Sequence, residues 1–324
     1  MAVAAPLVSV SMICYNAETY IAAAIEGVLR QQVDFPIELV IGDDQSSDGT
    51  RKICAAYAEK YPDIIRLLPP RANLGIGGNT ARTMGSCLGK YIAVCDGDDI
   101  WTDPLKLKRQ VEFLEQHPAY GAVYTDVETI SETGEPADDP DQDAIREMYA
   151  QGEVFTQLLG ANFINNSTSL FRRELISDLI IAPDRTYQVP DYIRWLHIAA
   201  RARIHFIDSK STQYRKHTGG LSVAVPKDKI RGNKRALRRA LYQIFWAYDQ
   251  NNSGGLSGLE RILLFRRIMA LIFIGPGDLG QRLRMLRLAP KYFPGIRGLL
   301  HIARSKAGQW FNVNLITINL EQNG

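Results

Sequence analysis

Three carboxylates stand within four residues in Asp96-Gly97-Asp98-Asp99, directly after the apolar run Tyr91-Ile92-Ala93-Val94-Cys95. A short run with no polar residue reads as a strand buried on both faces of a parallel sheet. Ligands of open parallel sheets bind beyond the carboxyl ends of the strands. Carboxylates this close in sequence repel one another, and hard oxygen donors suit Mg²⁺ or Mn²⁺. Gly97 would leave room for a ligand to approach the backbone. The same residues also fit an acidic turn that caps a helix.

A second acidic cluster, Asp43-Asp44-Gln45-Ser46-Ser47-Asp48-Gly49-Thr50, follows the apolar run 37–41. At the same sheet edge, a carboxylate here could accept from a base N–H or from sugar hydroxyls. The competing reading is a strand-to-helix turn with Asp48 as the cap. After a third run comes Asn73-Leu74-Gly75-Ile76-Gly77-Gly78-Asn79. Its Gly75-x-Gly77 is a weak dinucleotide signal, because Thr80 stands where a third glycine would. No G-x-x-x-x-G-K-S/T sequence is present, which excludes a P-loop. Cys14-Tyr15-Asn16 completes the set after the first run.

The elements that must hold these loops follow from periodicity. Strands are expected over residues 7–14, 37–41, 64–68, 91–95 and 121–130, with helices over 18–32, 48–60, 76–88 and 104–116. Repeated strand–helix–strand units imply an α/β fold, a mostly parallel central sheet with helices on both faces. Residues 131–143, acidic and carrying Pro136 and Pro140, are expected to be a loop. Short strands are expected over 169–172, 204–208 and 212–214, and a helix over 191–201. From Lys227 the pattern is helical, with Ile230, Leu237, Leu241, Ile244, Phe245 and Tyr248 on one stripe. Asn165-Asn166-Ser167 matches a glycosylation sequon, to which no role is attached.

The 324 residues are 46% hydrophobic and 23% charged, which excludes disorder, collagen and a disulfide scaffold. Cys14, Cys54, Cys87 and Cys95 form no C-x-x-C pair, which argues against a zinc ribbon and for a reduced, cytoplasmic setting. No signal-peptide pattern is seen. The best apolar run, residues 268–274, is far short of the roughly 20 residues that span a bilayer. Charge is uneven: residues 227–306 hold 17 Lys and Arg against 4 Asp and Glu, while the net charge of the chain is only +3.

As a set, these segments resemble the family 2 glycosyltransferases. The resemblance runs through Val8-Ser9-Val10-Ser11-Met12-Ile13-Cys14-Tyr15-Asn16, through Val40 to Thr50, and through Gly89-Lys90-Tyr91-Ile92-Ala93-Val94-Cys95-Asp96-Gly97-Asp98-Asp99-Ile100-Trp101. It covers about residues 6–222 and implies a GT-A nucleotide-sugar-binding fold over residues 1–226. A donor half would occupy 1–130 and an acceptor half 131–226. A basic helical C-terminal region, 227–324, lies outside the resemblance.

The resemblance also implies roles. Tyr15 would stack near the base and Asp44 would recognise its edge. Glu18, Asn73, Asn79 and Gly97 would line the donor-nucleotide site. Asp96 and Asp98 match the D-x-D motif, which holds the ribose and a Mn²⁺ or Mg²⁺ ion on the diphosphate. Asp191-Tyr192-Ile193-Arg194-Trp195-Leu196 resembles the family's acidic-aromatic helix start, whose last carboxylate is the catalytic base. Asp191 is therefore the expected base, although Pro190 replaces the usual Glu before it. Tyr214-Arg215-Lys216-His217, with Ser222, resembles a motif whose His217 can complete the metal shell. Trp101, Asp99 and Trp195 are expected in the acceptor pocket.

The implied activity is inverting, metal-dependent transfer of one hexosyl or N-acetylhexosaminyl unit. The donor would be a nucleoside-diphosphate sugar, UDP by family frequency. The acceptor would be a hydroxyl of a glycan or lipid-linked saccharide in cell-surface polysaccharide biosynthesis. The Q-x-x-R-W motif of processive synthases is absent, which favours single transfer. Arg231, Lys234, Arg235, Arg238 and Arg239, opposite the apolar stripe, suit peripheral contact with the inner face of an anionic membrane or a homo-oligomer interface. Nucleic acid is not an expected partner. The rival readings are a non-catalytic nucleotide-sugar-binding scaffold and a sugar nucleotidyltransferase. The latter needs a Gly-rich basic loop after the first strand, where Cys14-Tyr15-Asn16-Ala17-Glu18 stands instead.

Overall fold

The structure is a computed structural model that describes residues 5–177, 179, 190–219, 244 and 248. The first half alternates strand and helix: β1 (Val8–Cys14), α1 (Ile21–Leu29), β2 (Ile37–Asp43), α2 (Thr50–Lys60), β3 (Ile65–Leu67), α3 (Gly75–Gly85) and β4 (Tyr91–Val94). The short β5 (Ile100–Trp101), α4 (Lys106–Gln116), β6 (Tyr120–Ile130), α5 (Pro140–Arg146) and α6 (Phe155–Gly160) follow. The chain continues through β7 (Leu170–Arg172), α7 (Pro190–Ala199) and β8 (Arg203–Arg215).

All eight strands join one sheet in the order β3-β2-β1-β4-β7-β6-β8-β5. The pairs β1–β2, β1–β4, β2–β3 and β6–β8 are parallel. The pairs β4–β7, β6–β7 and β5–β8 are antiparallel. Period-two alternation divides the core into two layers. Val8, Val10, Met12, Leu39 and Ile41 pack on one face with Ile21, Ile25 and Val28 of α1 and Leu107, Val111 and Leu114 of α4. Val40, Ile92, Val94 and Tyr124 pack on the other with Met84 of α3 and Trp195 and Leu196 of α7. The consequence for function is that β1, β2 and β4 all end at one edge, where the three polar loops emerge.

Two expectations change. Residues 131–143 are built rather than loose. Ile130 and Pro136 form an antiparallel bridge, and α5 starts at Pro140. Asp139 caps it by accepting from Gln142 N–H at 3.2 Å. Proline at a first helical position and an acidic first turn are helix-start signals that also look like a loop. The two short strands expected near 204–214 are one strand, β8, with register shifts opposite Thr125 and Asp126. An interruption in alternation reads as a break in sequence and is a bulge in the sheet.

Most of the basic region, with its five lysines and arginines named above and Ser222, lies outside the described residues. Ile244 and Tyr248 of its stripe are helical and buried, and the Tyr248 ring stacks on Phe155 at 3.9 Å. No helix among the described residues is long and apolar enough to cross a membrane. All four cysteines are buried and free.

Lys106 is 1% exposed. Its Nζ donates to Gln110 Oε1 at 3.0 Å and lies 4.1 Å from the Trp101 ring centroid. Burial pulls its pKa down to about 7. The native chain therefore sheds a proton that the unfolded chain keeps up to about pH 10.4. Stability should rise with pH across that window, by on the order of 1 kcal/mol per pH unit at most. Urea melts of wild type and Lys106→Met at pH 7 and 9.5 should show wild type gaining on the variant; a constant difference would mean that Lys106 titrates as an ordinary lysine.

Candidate active site

β4 delivers Asp96 and Asp98 to the sheet edge, and a 3₁₀ turn at Asn166–Thr168 stands opposite them. Asp96 N–H donates to Ser167 Oγ at 3.0 Å, and Asn166 Nδ2 donates to Asp96 Oδ2 at 2.8 Å. Asp96 Oδ1 is buried and has no hydrogen-bond partner. Burial first, then the charge of Asp98, push the Asp96 pKa up to about 7. An orphaned buried carboxylate oxygen is a position that a ligand can satisfy.

Asp98 turns the other way. Its Oδ2 lies 3.1 Å from His217 Nε2, just beyond β8. That contact raises the His217 pKa, and the imidazole also leans on the Tyr20 ring at 4.9 Å. Arg215 organises this corner. Its Nε donates to Asp98 O at 3.1 Å, and its Nη1 donates to Ser131 O and Glu132 O. The acidic segment after β6 is thereby tied to the D-x-D loop.

At the end of β1, Tyr15 is 55% exposed. Asn16 (φ 49°) and Gln45 (φ 64°) both sit in the left-handed region, each just past a strand end. Non-glycine residues there are uncommon and cluster at functional loops. Asn16 Oδ1 accepts from Ser47 N–H at 2.8 Å, locking the β1 loop onto the β2 loop. Asp44 is 5% exposed; its N–H donates to Cys14 O and its Oδ1 accepts from Leu74 N–H at 2.8 Å. Burial raises its pKa. Asn73 Nδ2 donates to Asp44 O at 2.9 Å. Tyr15, Asp44, Asn73 and exposed Leu74 thus share one corner.

Asp191 opens α7, and its Oδ2 accepts from Asn162 Nδ2 at 3.0 Å. Arg194, one turn on, is 3% exposed and lies over the rings of Phe171 and Trp195. The carboxylates of Asp191 and Asp96 both act on its guanidinium.

The Glycosyl transferase family 2 model matches residues 9–180. The chain belongs to this family. It is similar to the uncharacterized protein Rv1520 of Mycobacterium tuberculosis, 33% identical over 66% of this chain and 60% of that one. It also resembles the putative teichuronic acid biosynthesis glycosyltransferase TuaG of Bacillus subtilis, 35% identical over 41% of this chain and 51% of TuaG. Among solved structures, S. aureus TarS 1–349 with UDP-GlcNAc superposes with a TM-score of 0.59. It is 19% identical, with 96% of this chain and 91% of that one covered. The mannosyltransferase PcManGT of Pyrobaculum calidifontis with GDP-Man and Mn²⁺ gives 0.55 at 19% identity, covering 98% and 87%. At these identities the structural likeness is one of fold, and the fold is that of GT-A glycosyltransferases.

Within the family 2 frame, several expected site residues take other places. Glu18 Oε2 accepts from Gly49 N–H at 2.8 Å, so its carboxylate ties the β1 loop to α2. Asn79 is 2% exposed beneath β2 and donates to Gly42 O at 2.6 Å, so it supports the sheet rather than lining a donor cleft. Asp99, Trp101 and Trp195 are likewise buried, at 3%, 1% and 0% exposure, which leaves no surface for an acceptor. Asp99 accepts from Ser167 Oγ at 2.5 Å and Arg215 N–H at 3.0 Å, and Trp101 Nε1 donates to Ser167 O at 2.7 Å. Burial and its acidic neighbours push the Asp99 pKa well up.

Sequence reasoning missed Asn162, Asn166, Ser167, Arg194 and Arg215. Asn166 and Ser167 were visible only as a sequon. Arg194 was inside a quoted motif, but nothing local shows that it turns inward.

Gly97 is buried against β1. A Cβ there would meet Cys14 Cβ at 2.9 Å, Ile13 O at 3.0 Å and Ile21 Cδ1 at 3.0 Å. The missing side chain makes way for β1 and α1, not for a ligand. Gly97→Ala should therefore destabilise the fold by about 1–3 kcal/mol in urea melts; unchanged stability would show that the D-x-D loop is free to shift.

Proposed function

We propose that the protein transfers a single sugar from a nucleoside-diphosphate sugar, a UDP-sugar in our reading, to a hydroxyl of a glycan or lipid-linked saccharide. The observation that carries this reading is the joint placement of Asp96, Asp98 and Asp191. One carboxylate keeps a buried, unpartnered oxygen, a second meets His217, and a third waits on the facing helix.

The donor half would take the nucleotide, with Tyr15 and Leu74 offering flat or apolar surface to the base and Asp44 its edge. Asp96 would take the ribose side. The chemistry of Asp98 and His217 fits a divalent cation, Mn²⁺ or Mg²⁺. Among the described residues, however, no three His, Cys, Asp or Glu side chains enclose one point. Such ions commonly take one or two carboxylates and complete their shell with substrate phosphates and water. When bound, the cation would supply positive charge to the diphosphate as it departs.

The reaction follows from the remaining groups. The acceptor oxygen forms its bond to the anomeric carbon while the bond to the diphosphate oxygen breaks. Asp191 takes the hydroxyl proton. Attack opposite the leaving group inverts the anomeric configuration in one displacement. Asn162 holds one Asp191 oxygen, leaving the other for the acceptor. The teichuronic-acid naming of TuaG supports a cell-surface polysaccharide as product class. The basic stretch 227–306 supports an acceptor carried at an anionic membrane surface.

Asp191→Asn keeps the shape of the helix start and removes the base. Nucleoside-diphosphate release with a donor and acceptor panel should fall by at least about 100-fold. Nucleotide binding by the same variant should stay at the wild-type level. Unchanged turnover would remove Asp191 from the mechanism.

A further inference from the structure

Arg194 is a costly residue in its position. A guanidinium buried under a sheet needs partners for five N–H groups. Here Nη1 points at Met84 Sδ, 3.6 Å away, and Nε has no partner. Nη2 donates to Asn166 Oδ1. The rings of Phe171 and Trp195 lie beneath, with the guanidinium carbon 5.1 and 4.5 Å from their centroids. A hydrophobic side chain would fill this space without the desolvation cost, so stability alone does not account for an arginine here.

The geometry of Asn166 supplies the reason. A guanidinium can only donate. Facing Arg194, the Asn166 amide must present its oxygen, which turns its NH₂ toward Asp96 Oδ2 at 2.8 Å. With that oxygen engaged, Asp96 Oδ1 is left buried and unpartnered. Without Arg194 the Asn166 oxygen would lose its donor, and the side chain would be free to rotate its NH₂ away from Asp96. Burial holds the Arg194 pKa down to about 10, while Asp191 and Asp96 pull it up, so it stays cationic at neutral pH.

We infer that Arg194 is a positioning residue: through the Asn166 amide it fixes the orientation of Asp96 for the nucleoside diphosphate and its cation. This rests on the proposed donor reading. Partners that orient a ligating group typically contribute 10–100-fold to affinity.

The test is calorimetric titration of UDP in the presence of Mn²⁺, with a thermal melt of each protein without ligand. Wild type is measured first: absence of binding would overturn the donor reading itself. Given wild-type binding, Arg194→Met should weaken the UDP–Mn²⁺ affinity by 10–100-fold, and Arg194→Lys, which keeps a donor, should recover part of it. A merely structural arginine would lower the melting temperature and leave the affinity within twofold of wild type, and that result overturns the inference. Should Arg194→Met fail to fold, Asn166→Leu tests the same relay at the half-buried turn. It should show the same loss, and wild-type affinity in that variant overturns the inference equally.

Discussion

Carboxylates crowded at a half-buried edge repel one another and lose hydration together, so each needs a donor or a counter-charge. The rest of this site is arranged around that constraint. Asp99 receives Ser167 and the Arg215 N–H, and is withdrawn into the core. Asp96 receives Asn166, Asp98 receives His217, and Asp191 receives Asn162. Arg194 lies beneath Asp96 and Asp191 as the buried cation. What remains among these carboxylates is one orphaned oxygen, on Asp96.

The sheet makes this possible by bringing distant segments to one edge. β4 supplies the D-x-D loop, the turn before β7 supplies Asn166 and Ser167, and β8 supplies Arg215 and then His217. The antiparallel insertion of β7 between β4 and β6 is what sets the 3₁₀ turn opposite Asp96. Ser167 is the hub: it accepts from Asp96 N–H and Trp101 Nε1 and donates to Asp99.

The first half was legible because βα units are local and strongly periodic. An apolar strand followed by an acidic loop declares both the element and the edge on which it ends. Tyr15, Asp44, Asn73, Asp96 and Asp98 therefore lie in loops that follow strand ends. Side-chain direction was less legible. Asn79, Asp99, Trp101 and Trp195 have residue types that suit a pocket, yet neighbours distant in sequence bury them. Glu18 reads as a ligand-facing acid and is held by the backbone of Gly49. The Arg194–Asn166–Asp96 relay joins residues 28 and 70 positions apart, so no local pattern could announce it.

The central claim is that the carboxylate edge holds a nucleoside diphosphate through a divalent cation. The most direct measurement is a manganese anomalous-difference map from crystals of the full chain grown with UDP and Mn²⁺. The account predicts a peak between the Asp98 carboxylate and His217, bridged to the diphosphate, with the base at the Tyr15, Asp44 and Leu74 corner. A nucleotide bound at that edge without a manganese peak, or a peak elsewhere on the molecule, would contradict it.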